Sequence, residues 1–526
     1  MKMKLKATAG LCALIVGTSG IGFSSIASAE TDNQDLKQQV DMLQKKVEML
    51  STHLSEQQNA PAAPGGHEYI ERKAGDGMTF FTRGGEVSIY GNLDISVDDT
   101  TKGISHMTAP GTGEVTPAGN GGWMPAISTN LSYVGLRGFQ SLGDSPAKFV
   151  WQLETQIDIS ATSGTSGSNS NTSSAVKGAL TSRNSFIGLA SAGSGAFKIG
   201  KTDAPYKTST GSMNPFSGMI GDYSAIMGNT GGDNRVEFST RMDHALWYES
   251  PNWGGFTLNA LVSPGQNRAT DNSNLASGEG DCAGGNIPGS GGLAVACNDG
   301  SYGTAYSVNA GYRVGGLYMT GAYEMHKNVN RNSDLGIPLL PPLGSATGPA
   351  YMVDVANESA AKFGVQSKFS TGTTVSAIFE DMKRDVPAYL AYQNERQRTG
   401  FWLAVSQELT AKDGLHFGWA RANKTPGDTG QHNTPGGANP DNEANLLTLA
   451  WKHQVDKQFS YYADVAETIN HAAAHYDLGA GGRANTTDCH DASNPDGTGF
   501  DPNGNGPKCW AGGRLAGVSV GMKYTF

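Results

Sequence analysis

The feature that most constrains the fold is an alternation of apolar and polar residues that recurs from about Gly85 to Phe526. In its first segment, Val87, Ile89 and Leu93 alternate with polar side chains. Because successive side chains of a β-strand point to opposite faces, each segment has one apolar and one polar face. About sixteen such segments, each near the roughly 9–11 residues that cross a bilayer at barrel tilt, predict an all-β fold, an antiparallel transmembrane β-barrel of about 16 strands.

The polar face of these segments carries charge, which indicates that it meets water. In the third segment, Phe149, Trp151 and Leu153 form the apolar face. The opposite face of that segment is charged or carries amides: Lys148, Gln152, Glu154, Gln156 and Asp158. A wall that is apolar outside and charged inside is typical of a barrel around an aqueous lumen.

Short turns alternate with long polar segments between the predicted strands. The long segments are rich in Gly, Ser, Thr and Asn and are predicted at 98–128, 159–181, 202–242, 264–301, 327–357, 385–397, 423–442 and 470–512. Short turns on the periplasmic side and long loops outside are the organisation of an outer-membrane barrel. A soluble β-sandwich is the alternative for alternating strands, but it does not need such long polar loops or so many outward aromatic residues.

The last predicted strand ends the chain on an aromatic residue. Val518, Val520, Met522 and Tyr524 share one face with the C-terminal Phe526. Such an ending is similar to the terminal element that the barrel-assembly machinery of Gram-negative bacteria binds during biogenesis. Phe526 is therefore predicted to be an assembly signal, and the barrel is expected in contact with outer-membrane lipid.

The N-terminus predicts export. Lys2, Lys4 and Lys6 precede an apolar stretch that ends before an Ala27-Ser28-Ala29 cleavage site. Residues 1–29 are thus predicted to be a signal peptide. The alternative, a membrane anchor, is disfavoured because the apolar run is short and broken by glycine.

Residues 30–59 are predicted to form a short α-helical coiled coil in the periplasm, joined by a linker at 60–84 to a barrel at 85–526. The apolar spacing is that of a heptad seam, with positions Leu36, Val40, Leu43, Val47, Leu50 and Leu54. An amphipathic helix packed on its own chain would show the same seam. Association between chains is the favoured reading, since so short a helix is marginal alone.

Composition excludes a helical membrane protein. Only 37% of residues are hydrophobic, mean hydropathy is −0.37, and past residue 30 no run approaches the roughly 20 apolar residues that a spanning helix needs. A barrel remains compatible, because only alternate residues of its strands face lipid. The net charge of −10 argues against nucleic acid as a partner.

Four cysteines follow the signal segment and are expected to form local disulfides, because the chain is exported. Three connectivities are possible, and proximity along the chain favours Cys282–Cys297 with Cys489–Cys509. Each pair brackets a Gly- and Asp- or Asn-rich stretch with the composition of a loop.

Cofactor and metal motifs are weak. His471 and His475 have the spacing of two zinc ligands, but alanines separate them and no glutamate accompanies them. A stretch with Asp501, Asn503 and Asn505 resembles the opening of a calcium loop, yet its twelfth position is Gly512 where a glutamate belongs. We expect no cofactor, no catalytic residue and no enzymatic activity.

Several segments together resemble the general porins of Gram-negative bacteria, and the resemblance spans about residues 85–526. The segments that carry it are Val87–Gly91, Gly135–Gly138, Gln152–Glu154, Ser182–Leu189, Lys198–Lys201 and Trp247–Pro251. The resemblance implies a homotrimer whose pores pass ions and small hydrophilic solutes by passive diffusion. The coiled coil and the paired cysteines depart from the commonest members of that family.

The resemblance also implies a constriction formed by the third long loop, which folds into the barrel. Apolar residues of that loop, among them Met213 and Phe216, would hold it to the inner wall. Its charges would line the constriction: Asp203, Lys207, Asp222, Asp233 and Arg235. The candidates on the facing wall are Arg137, Lys148, Glu154, Arg183, Lys198 and Lys201. A substrate-specific channel, a surface adhesin and a barrel hydrolase remain as alternatives.

Overall fold

The computed structural model describes residues 78–101, 106–108, 115–117, 123–157, 159–160, 183–228, 238–264, 304–329, 356–385, 397–424, 443–471, 474, 476, 478–479 and 514–526. The predicted signal peptide, coiled coil, cysteine pairs and calcium-loop residues lie outside this part of the chain, as do Asp233 and Arg235. Among the described residues, no helix has the length and apolar character needed to cross a membrane.

The strands begin and end close to where the alternation starts and stops. In the first half of the chain they are β1 (Met78–Thr82), β2 (Gly85–Thr101), β3 (His106–Thr108), β4 (Val115–Pro117), β5 (Trp123–Thr129), β6 (Tyr133–Ser141), β7 (Lys148–Gln156), β8 (Ser185–Ser191), β9 (Gly195–Asp203) and β10 (Arg241–Glu249). In the second half they are β11 (Phe256–Pro264), β12 (Thr304–Val314), β13 (Leu317–Val329), β14 (Ala356–Lys368), β15 (Thr373–Asp385), β16 (Arg398–Glu408), β17 (Asp413–Ala422), β18 (Ala444–Gln454), β19 (Phe459–Asn470) and β20 (Arg514–Thr525).

The strands close into one antiparallel barrel of 16 wall positions. Each strand from β6 to β20 pairs with its neighbour in the chain, and β20 pairs with β2 from Asn92↔Thr525 to Thr100↔Gly517. β5 and β6 lie end to end against the two halves of β2 and so share one position. The closed barrel of about 16 strands predicted from the alternation is therefore confirmed. Its last strand, β20, pairs with β2, the first strand of the wall.

β1 is an added strand outside this count. It forms a tight hairpin with β2 through Arg83 and Gly84, and Gly84 takes the positive φ of +81° that such a turn needs. β1 and the turn lie within the segment predicted as a linker. It covers the part of the β2 edge that β20 leaves unpaired, because β20 ends where Phe526 exchanges backbone hydrogen bonds with Gly91.

The two faces of the wall differ as the sequence predicts. Outward residues are apolar and accessible, with exposures of 51% for Ile187, 52% for Phe379 and 64% for Val520. Inward neighbours such as Glu380 and Ser519 are polar and buried. An apolar exterior of this kind meets lipid, whereas the polar interior belongs to the lumen.

A large buried cluster lies inside the barrel instead of between two sheets. It joins residues of the segment after β9, such as Phe216 and Ile220, to inward residues of the wall, such as Trp402 and Leu446. Tyr476 and Leu478 from the segment after β19 belong to the same cluster. The interior thus contains chain that is not part of the wall.

Candidate functional site

The segment 204–228 leaves the wall after β9 and folds within the barrel. It begins with a short helix, α1 (Pro205–Ser209), whose proline occupies the first turn, where no backbone donor is needed. Two single 3-10 turns follow, Gly211–Met213 and Tyr223–Ala225. We call residues 204–228 the inner loop.

One end of the inner loop is bonded to β12 and β15. The Tyr206 backbone N–H donates to Ser307 Oγ at 2.9 Å, and Asn309 Nδ2 donates to the Pro205 carbonyl at 2.7 Å. The Tyr206 hydroxyl, fully buried, donates to Glu380 Oε2 at 2.9 Å. The same carboxylate accepts from the Gly228 N–H at 2.9 Å, so Glu380 joins the two ends of the loop.

The middle of the inner loop packs on β16 to β18. Trp402 Nε1 donates to the Met213 carbonyl at 3.0 Å, and the Phe216 and Trp402 rings meet edge to face with centroids 5.9 Å apart. The Lys452 ammonium group of β18 donates to the Pro215 carbonyl. The loop that leaves at β9 therefore reaches strands far around the wall, and crosses the lumen to do so.

Asp222 braces the inner loop from within. Its carboxylate accepts from Asn214 Nδ2 at 2.8 Å, from the Gly218 N–H at 3.0 Å and from the Ser224 N–H at 2.9 Å. The side chain is buried with its residue 7% exposed. The structure thus shows this sequence candidate bonded inside the loop.

Asp203 and Lys207 meet at the start of the inner loop. Lys207 Nζ lies 2.8 Å from Asp203 Oδ1, and Arg241 Nη2 of β10 lies 3.0 Å from the same oxygen. Asn184 Nδ2 donates to the other oxygen at 3.2 Å. Arg241 and Asn184 were not among the charged or polar candidates from the sequence, although both follow long polar segments. Arg241 begins β10, and Asn184 directly precedes β8.

Three of the wall candidates come together on β6, on β7 and just before β8. Arg183 Nε lies 2.6 Å from Glu154 Oε1, and the Tyr90 hydroxyl donates to Glu154 Oε2 at 2.9 Å. The Arg137 guanidinium lies 4.5 Å from the centroid of the Tyr90 ring. Two arginines, one glutamate and one tyrosine therefore form a single lumenal cluster.

The other wall candidates are dispersed among separate partners. Lys198 Nζ lies 2.7 Å from Glu249, and Lys201 Nζ lies 2.8 Å from Asp243. Lys148 is at the edge of the wall with its ammonium 4.1 Å from the Phe139 ring centroid. The structure does not bring these lysines into one group.

A further charged cluster on β13 and β14 was not predicted from the sequence. His326 Nε2 lies 3.2 Å from Glu324 Oε1 and its other nitrogen lies 3.9 Å from Glu358, while Lys362 Nζ sits 3.9 Å from the Tyr206 ring centroid. All of these side chains are nearly inaccessible. The signal was present in the alternation, since each charge occupies an inward position two or four residues from the next.

The segment after β19 also turns into the barrel. Asn470 Nδ2 donates to the Tyr476 carbonyl and its Oδ1 accepts from the Tyr476 N–H, both at 2.8 Å. The Gly479 N–H then donates to the Ile220 carbonyl at 2.6 Å. The last long loop, expected entirely outside, thus contacts the tip of the inner loop. Within the described chain, no three His, Cys, Asp or Glu side chains are grouped as metal ligands.

The chain is similar to known porins in sequence and in fold. A sequence model of the Gram-negative porin family matches residues 21–473. The anion-selective porin from Comamonas acidovorans has a similar structure, with a TM-score of 0.52 and 16% identity over 84% of this chain and 100% of that one. OmpT of Vibrio cholerae in its trimer form gives 0.46 and 13% over 84% and 100%, and the channel DcaP of Acinetobacter baumannii gives 0.43 and 11% over 85% and 99%. No curated protein matches the sequence. At these identities the structural likeness concerns the fold alone.

Proposed function

The chain belongs to the Gram-negative porin family, and from that premise we propose that it passes small hydrophilic solutes and ions by passive diffusion, through a lumen narrowed by the inner loop. The barrel is an outer-membrane channel for solutes, as its family and fold require. The narrowing, the solutes and their selection are the parts proposed.

The observation that supports the narrowing is the span of the inner loop. It is bonded to Glu380 at its ends and to Trp402 at its middle, so it occupies part of the cross-section. Polar side chains still line the wall beside it, including Asp203, Arg137 and Arg183. A narrow aqueous passage with fixed charges discriminates ions and solutes by size and sign.

We propose that selectivity resides in two groups. The first is the Asp203–Lys207–Arg241 cluster at the root of the inner loop, together with Asp233 and Arg235. The second is the wall cluster of Arg137, Glu154 and Arg183. Lys148, Lys198 and Lys201 are proposed to contribute less, because they lie apart from one another with separate partners. Asp222 is proposed to shape the loop.

We further propose a homotrimer, with residues 33–54 as a periplasmic coiled coil that joins the chains. The family supports this proposal, as does the heptad spacing of the seam from Leu36 to Leu54. Phe526 is proposed as the contact for the barrel-assembly machinery. Its position supports that role, because its backbone completes the pairing of the last strand with Gly91.

Proteoliposome swelling tests the proposed diffusion. We expect purified protein to admit small neutral sugars and to admit larger ones at progressively lower rates, because the passage excludes by size. Vesicles without protein are the control. Equal rates for all sizes, or no swelling with any solute, would contradict passive diffusion through a narrowed pore and would favour an adhesin or a dedicated carrier.

A further inference from the structure

A second group of polar side chains lies in the lumen where the barrel closes. Asp98 of β2 pairs with Ser519 of β20, and Ser519 pairs with Asp464 of β19, so the three lie side by side on adjacent strands. Their neighbours Val518 and Val520 are outward and exposed, which places the three on the inner face. Asp98 is 0% exposed and Asp464 3%.

The protein offers these two carboxylates few partners. Within the described part of the chain, neither oxygen of Asp98 accepts a hydrogen bond. The Asp464 carboxylate has the Ser519 hydroxyl and the Gly221 N–H beside it, but in poor hydrogen-bond geometry. The buried hydroxyls of Thr100 and Thr448 are likewise without a hydrogen-bond partner there. Burial of an unpaired carboxylate is strongly unfavourable, and a second carboxylate on the same face adds repulsion.

The unsatisfied groups converge beneath the tip of the inner loop. A Cβ atom at Gly221 would overlap Thr448 Oγ1, and the Gly221 N–H lies beside the Asp464 carboxylate. A Cβ at Gly517 would lie 2.9 Å from Thr100 and 3.2 Å from Ile220. Residues from β2, β18, β19 and β20 therefore surround one place, and the Ile220–Gly221 backbone covers it.

The basic residue in electrostatic range of Asp464 does not supply the missing partner. Lys452 interacts with Asp464 through space, but its ammonium group donates to the Pro215 carbonyl. Asp94, the acidic residue four positions before Asp98 on β2, accepts a hydrogen bond from the Tyr462 hydroxyl at 2.9 Å. The charge of the Asp98–Asp464 pair thus remains uncompensated by a direct contact.

We propose that Asp98 and Asp464 bind a calcium ion, completed by the hydroxyls of Ser519 and Thr448 and by water. Side chains opposite each other on adjacent strands have Cβ atoms about 5 Å apart, so two steps separate the aspartates by roughly 10 Å. An ion with oxygen contacts of about 2.4 Å fits between two carboxylates at that spacing. Oxygen-only ligands with two negative charges favour Ca²⁺ over softer metals.

The ion would link β2, β19 and β20 at the closure of the barrel to the tip of the inner loop. It stabilises the folded state, because a ligand that binds only that state shifts the unfolding equilibrium toward it. The site depends on the barrel and the loop position, and it is independent of which solutes pass.

Calorimetric titration of Ca²⁺ into the full chain tests the proposal. The protein is refolded without lipopolysaccharide and stripped with EDTA, since lipopolysaccharide binds calcium itself. We expect one ion per chain in the wild type, affinity lowered more than about 100-fold in the Asp98→Asn/Asp464→Asn double variant, and a smaller loss in Thr448→Val. Removal of a group that only supports a metal ligand lowers metal affinity roughly 10–100-fold, so a larger loss would mark the two aspartates as ligands.

The matched control is Asp501→Asn, which alters the calcium-like stretch of the last loop and should leave the titration unchanged. Each variant is first checked for the heat-dependent gel mobility of a folded barrel. If the double variant does not fold, Asp98→Asn alone and Thr448→Val carry the same comparison. Absence of binding in the wild type, binding retained in the folded aspartate variants, or binding lost in Asp501→Asn overturns the proposal.

Discussion

The glycines of the wall set how closely the inner loop can approach it. At Gly418 a Cβ atom would overlap the Trp402 ring and lie 2.8 Å from the Phe216 ring. At Gly364 it would lie 2.7 Å from Met213 Sδ. The sequence alone does not single out these glycines, because the need for an inward glycine in a strand depends on the chain that packs on it.

We expect Gly418→Ala to displace the inner loop. The added methyl group forces Trp402 and Phe216 apart, and overpacking of this kind costs about 1–3 kcal/mol. The loss is measured as a lower midpoint of denaturant-induced unfolding, accompanied by a change in conductance. Gly321→Ala is the matched control, since nothing lies within 4 Å of its added Cβ. Equal effects of the two substitutions would show that Gly418 does not limit the loop.

The inner loop is the element whose outline, but not whose detail, is predictable from sequence. Its position as the third long loop and the packing of its apolar residues are predicted from the sequence. Met213 and Phe216 are indeed buried against the wall. The role of Asp222 cannot be predicted from sequence, because a carboxylate in a loop could equally line the pore or accept hydrogen bonds within the loop. Three separate N–H partners, each distant by only a few residues in sequence, are visible only in three dimensions.

Replacing Asp222 by alanine separates these two roles. A brace that accepts N–H groups resembles a helix cap, whose loss costs roughly 0.5–2 kcal/mol. We therefore expect Asp222→Ala to increase current noise and proteolysis of the loop, with ion preference nearly unchanged. Asp203→Ala is the comparison and should shift ion preference, since Asp203 faces Lys207 and Arg241 at the loop root. A clean shift of ion preference in Asp222→Ala without added noise would refute the brace.

At the scale of the whole molecule, the alternation of apolar and polar residues was sufficient for the barrel. Its period of two fixes which side chains face lipid, and the short turns fix antiparallel neighbours. The inward path of the last loop was missed, because its Gly- and Asn-rich composition is typical of an external loop. Tyr476 and Leu478 are the apolar residues that draw it inside, and they are too few to form a pattern.

The two inward loops also hold each other. The Gly479 N–H donates to the Ile220 carbonyl, and the Asn470 side-chain amide bonds both the N–H and the carbonyl of Tyr476. We expect Asn470→Ala to release this contact, because it leaves two buried backbone groups without their side-chain partner, at about 1–3 kcal/mol. Faster protease cleavage within 471–479 measures the release. Cleavage at the wild-type rate would contradict it.

Single-channel conductance in planar bilayers tests most directly whether the inner loop narrows an open pore. The comparison is between the wild type and a variant in which residues 211–221 are replaced by a short glycine and serine bridge, with Trp451→Ala on the outer face of β18 as the control. We expect a stable open conductance in the wild type, a clearly larger one in the loop variant and no change in the control. An unchanged conductance in a folded loop variant, or a wild-type barrel that passes no current, would contradict an open pore narrowed by the inner loop.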